Sequence, residues 1–86
     1  MIRVIDGKKA ASFDGMVLEV FGVSGSAESK RVLITALEAL TLADAGGEPM
    51  LVVKTAKGGF GLAVSAERRE EWRGFVADVL RAKSAL

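Results

Sequence analysis

The chain has 86 residues, with twelve Lys and Arg against eleven Asp and Glu for a net charge of +1, and it contains neither Cys nor His. That length is one domain, read as residues 1–86. The near-neutral charge announces no polyanion and no acidic substrate, and the missing Cys and His remove disulfides, thiolate or imidazole metal sites, a Cys nucleophile and the Ser-His-Asp arrangement.

Half of the residues are hydrophobic and mean hydropathy is +0.32. For a core this small that is generous, and it hints at apolar surface kept for a partner. No apolar h-region follows Met1-Ile2-Arg3-Val4, and no apolar run nears the ~20 residues that span a bilayer. A cytoplasmic protein without integral membrane association is therefore expected.

Ile2 to Ile5 is β-branched and ends at Asp6-Gly7, so it reads as a strand entering a hairpin. Lys8 to Phe13 reads as its partner, closed by Asp14-Gly15, whose composition suits the centre of a tight hairpin turn. Met16 to Phe21 is a third strand. Met16, Leu18 and Val20 share one face, and Val17, Glu19 and Phe21 share the other. Two of those last three are apolar, which predicts a strand covered on both faces. Gly22 to Ser29 is small, polar and aperiodic, and reads as a mobile loop.

Lys30 to Ala45 admits two readings. Val32, Leu33, Ala36, Leu37, Leu40 and Ala43 fit a helical stripe, with Gly46-Gly47 as its C-cap. The same residues also fit two strands, Lys30 to Ile34 and Leu37 to Ala43, bent at Thr35-Ala36. After the Gly46–Pro49 turn, Met50 to Thr55 and Phe60 to Val64 read as a hairpin around Lys57-Gly58-Gly59. Phe60, Leu62 and Val64 would face inward, with Gly61 and Ala63 leaving a flat patch outside.

From Ser65 to about Lys83, Trp72, Phe75, Val76, Val79 and Leu80 recur at spacings of three and four, one face of an amphipathic helix. Ser65 suits the N-cap. Glu67, Glu70 and Glu71 sit early and Arg81 and Lys83 late, as the helix dipole favours. Gly74 and Ala77 fall on the opposite face, where a mid-helix Gly is costly by about 1 kcal/mol unless another chain approaches closely.

Phe13-Asp14-Gly15, Lys30-Arg31-Val32-Leu33-Ile34-Thr35-Ala36-Leu37, Val52-Val53-Lys54-Thr55-Ala56-Lys57-Gly58-Gly59 and Trp72-Arg73-Gly74-Phe75 together resemble the bacterial pleckstrin-homology-like domains. The resemblance spans nearly the whole chain, and Leu33 departs from it, standing where such domains often carry proline. It implies two strands over Lys30–Ala43. It also implies a mainly β (α+β) fold: a bent seven-stranded antiparallel barrel capped by one C-terminal amphipathic helix. Pleckstrin-homology domains that bind inositol lipids carry basic residues between their first two strands, where Lys8 and Lys9 stand here.

No residue set supports catalysis. Asp6, Asp14 and Asp44 sit at turns, where Asp bonds local backbone. Lys57-Gly58-Gly59-Phe60-Gly61 lacks the Gly-Lys-Ser/Thr ending and following helix of a phosphate loop. The expectation is thus no enzyme, no cofactor and no metal. It is instead a non-catalytic interaction or scaffold module that contacts itself or another protein, with Val17, Phe21, Val52, Gly74 and Ala77 as candidate interface residues. The alternative is an anion or lipid-headgroup binder making weak anionic-lipid contact through Lys8, Lys9, Lys30 and Arg31. Nucleic acid is not expected, since no basic stripe interleaves with aromatics.

Overall fold

In the computed structural model, residues 1–23 and 29–86 are described. The sequence-predicted loop at 22–29 therefore has its centre, 24–28, outside the described residues. β1 (Ile2–Asp6), β2 (Lys9–Phe13), β3 (Val17–Phe21) and β4 (Ser29–Leu33) form one antiparallel sheet in that order. β5 (Leu37–Ala45), β6 (Glu48–Thr55) and β7 (Gly58–Ala63) form a second. A 3-10 turn at Ile34–Ala36 carries the chain between the sheets, and another at Ala66–Arg68 leads into α1 (Arg69–Ser84).

The ambiguous middle segment is therefore two strands. Of the helical stripe, Val32, Leu37 and Leu40 are buried, while Leu33 is 53% exposed and Ala36 and Ala43 are exposed. Along β5 the burial alternates instead, with Leu40 buried and Leu42 half-buried between exposed Thr41 and Ala43. Cross-strand pairing to β6 overrides the good helix propensity of Ala and Leu.

Of the expected fold, the structure shows seven antiparallel strands in two sheets with one C-terminal helix and no closed barrel among the described residues. Among the described residues no ladder joins β1 to β7 or β4 to β5. The 3-10 turn at Ile34–Ala36 separates β4 from β5, and α1 contacts β1 of one sheet and β5 of the other. Lys9 reaches from the start of β2 to the carbonyl oxygen of Ala63 at the end of β7.

The two inner faces and the helix share one core. Val4, Ala11, Phe13, Leu18, Val20 and Val32 come from the first sheet, Leu40, Leu51, Val53 and Leu62 from the second, and Trp72, Phe75, Val76 and Val79 from α1. Leu80, the last member of the predicted stripe, is half-buried against them, as is Phe60. Trp72 is fully buried and meets Phe75 edge to face, ring centroids 6.2 Å apart, a favoured aromatic geometry.

Three local readings shift. The second hairpin is centred on Gly15-Met16, not on Asp14-Gly15. The Asp14 N–H donates to the Val17 carbonyl oxygen at 3.4 Å, and Asp14 Oδ1 accepts the N–H groups of Met16 and Val17, each at 2.8 Å. The last hairpin turns at Ala56-Lys57, because Thr55 pairs with Gly58. Gly59 therefore lies within β7, where a Cβ would stand 2.5 Å from the Val53 carbonyl oxygen. Close backbone approach, not turn chemistry, requires that glycine. Third, α1 begins at Arg69 and Ser65 is not its cap: Ser65 is extended and its hydroxyl makes no capping bond.

Candidate interaction surfaces

Side chains on a strand alternate between faces, so the inward set Leu51, Val53 and Leu62 leaves Met50, Val52, Lys54, Gly59, Gly61 and Ala63 outside. The register aligns these with β5 in three rows: Ala43, Met50 and Ala63; Thr41, Val52 and Gly61; Ala39, Lys54 and Gly59. Lys54 is the only charge in those rows. Met50 lies across Gly61, close enough that a Cβ there would meet its sulfur at 3.0 Å. An open groove of 590 Å³ lies at this part of the sheet, lined by Met50, Val52, Lys54, Gly59 and Gly61 of the outer rows together with Glu38, Phe60 and the β6–β7 turn.

Asp6 holds the two ends of the chain together. Its Oδ2 accepts the Ser65 N–H at 2.7 Å and the Trp72 indole N–H at 3.1 Å, and Arg68 Nε stands 3.9 Å from Oδ1. The expectation that Asp6 serves its own turn is therefore corrected: the carboxylate leaves that turn and fixes the entry of α1. Asp44 is corrected likewise, since its Oδ1 accepts from Arg69 of α1 at 2.9 Å. Only Asp14 bonds local backbone, and those N–H groups, that of Val17 first, hold its carboxyl below the usual range.

The four basic candidates do not converge. Lys30 and Arg31 are consecutive on β4 and so point to opposite faces. Arg31 Nε donates to Glu19 Oε2 at 2.7 Å, and the Lys9 ammonium is engaged by Ala63. Lys8 is exposed in the first turn.

The five interface candidates fall on three surfaces. Val17 and Phe21 lie on the outer face of β3, Val52 on that of β6, and Gly74 and Ala77 on the exposed side of α1. Phe21 is 36% exposed and Val17 and Glu19 are half-buried, so among the described residues the outer face of β3 is only partly covered, short of the two-sided expectation. What dresses that face is an ionic cluster in which Glu19 Oε2 also accepts from the Ser29 hydroxyl at 2.8 Å.

Arg31 first and Ser29 second hold the Glu19 carboxyl below its ordinary range. A carboxyl depressed by folding contributes stability above its unfolded pKa and loses it as pH falls through the folded one. Glu19→Gln should therefore narrow the gap between urea midpoints measured at pH 7 and in acid. An unchanged gap would show the cluster to be energetically idle.

No helix among the described residues is long and apolar enough to cross a membrane, and no cluster of three or more carboxylates stands ready for a metal ion among them. Comparison with protein-family models, curated proteins and solved structures found no match to this chain.

The Asp6 clamp and the outer rows of the second sheet lay beyond the sequence reading. Val52 and the Gly61–Ala63 patch were visible there as alternating positions. Their alignment with Thr41 and Ala43 depends on strand order, which local periodicity does not carry.

Proposed function

We propose that this chain is a non-catalytic interaction module of the pleckstrin-homology-like kind, a bent arrangement of seven strands stopped by one helix, and that it self-associates. The observation that carries the reading is the outer face of β5, β6 and β7, whose aligned rows are mostly small and apolar side chains with Lys54 as the one row charge. Two such faces can stack as the layers of a β-sandwich do, at about 10 Å. Glu38 and Lys54, both lining the groove, give each copy an anion and a cation to offer the other. The order of four strands, three strands and a terminal helix supports the family reading.

Light scattering across a concentration series tests the proposal. Wild type should gain mass with concentration, and Val52→Asp, which places an unpaired carboxylate at the centre of the stacked face, should return it to the monomer. A wild-type chain that stays monomeric into the high micromolar range overturns self-association.

A further inference from the structure

A second surface, distinct from the outer sheet face, is built for a different occupant. β1 is an edge strand whose one ladder, among the described residues, is to β2. Asp6 pairs with Lys9 to close the first turn, so alternation along an antiparallel ladder turns the backbone N–H and C=O groups of Arg3 and Ile5 to the unpaired side. α1 runs beside this edge, and between them lies a groove of 380 Å³ to which β1 contributes Arg3 and Ile5 and α1 contributes Glu70, Glu71, Gly74 and Asp78. A Cβ on Gly74 would meet nothing within 4 Å, so the helix leaves room there. A second hollow of 420 Å³ continues from Ile2 and Asp78 to Asp14 and Arg81.

Glu70, Glu71, Asp78 and Asp14 line this channel against Arg3 and Arg81. Arg73 and Arg68, which pair with Glu70 and Glu71, line neither hollow. Those pairs, like that of Asp78 with Arg81, are solvent-exposed, and exposed pairs yield readily to a competing cation. We propose that the groove takes an extended, basic segment of another protein, which adds to β1 as an antiparallel strand and sets Lys or Arg side chains against the α1 carboxylates. Main-chain bonds supply the binding mode, and the carboxylates select the charge. This proposal does not depend on self-association.

The test uses the full chain, isotope-labelled for NMR, and the blocked peptide Ac-Val-Lys-Val-Arg-Val-Lys-NH2. The peptide should shift the amides of Arg3 and Ile5 and slow their hydrogen exchange. Affinity should fall with added salt, drop about tenfold or more when the basic residues are replaced by Glu, and vanish when the central Val is replaced by Pro, which removes the donor. Gly74→Phe should block the groove while leaving the urea midpoint no lower than wild type, since it removes a mid-helix glycine into open space. Unmoved Arg3 and Ile5 amides overturn the proposal, as does equal binding of the Glu-substituted peptide. Protection of the same two amides that grows with protein concentration in the absence of peptide also overturns it, by making the occupant a second copy.

Discussion

Phe75→Ala is expected to lower the unfolding free energy by about 3–5 kcal/mol, the usual range for truncating a buried aromatic. Phe75 is 3% exposed, stands edge-on to Trp72 and belongs to the one core cluster that both sheets and α1 share. A cavity there opens inside the core that both sheets and α1 share. For a domain of this size each kcal/mol moves the melting temperature by about 4–8 °C, so thermal unfolding should shift by well over about 10 °C. A small chain has little stability in reserve, and the variant should be partly unfolded at physiological temperature. Calorimetry checks this, and melting within a degree or two of wild type would show that α1 does not close the core.

Asp6→Ala is expected to cost about 2–6 kcal/mol, because it strips the acceptor from two part-buried donors, each a loss of roughly 1–3 kcal/mol when left unsatisfied. The donors are the Ser65 N–H and the Trp72 indole N–H, both on Asp6 Oδ2. Asp6→Asn, which keeps an amide oxygen in place, should cost less than half as much. Trp72 is the only tryptophan, so its fluorescence reports the site directly, and the alanine variant should shift its emission to the red. A double-mutant cycle with Trp72→Phe isolates the indole bond. A urea midpoint for Asp6→Ala equal to that of wild type would remove the clamp from the account of how α1 is seated.

These two residues differ in how plainly the chain announces them. Phe75 belongs to a stripe with helical spacing, and that spacing is a property of neighbours in sequence; Trp72, Val76 and Val79 follow by the same reasoning and are buried with it. Asp6 precedes a glycine, and a turn role is the local inference. Its partners lie 59 and 66 positions downstream, a distance over which no periodic pattern carries information.

The same division holds for the rest of the molecule. Strands at Ile2–Ile5, Lys8–Phe13 and Met16–Phe21, each within a residue of the observed bounds, the closing helix and its buried face were legible from β-branched runs, Asp-Gly punctuation and periodicity, because each is set by interactions within a few residues. Periodicity leaves Leu37–Ala45 open between helix and strand and the family resemblance implies a strand; the tertiary structure gives the reason, since the helix-favouring alanines and leucines are overruled by the ladder to β6. It also moved the centres of the second and last hairpins by a residue or two, because cross-strand register and not composition selects which pair closes a hairpin. The outer face of β5, β6 and β7 and the channel beside β1 arise in the same way: their members are scattered along the chain, and strand order and helix docking alone bring them together.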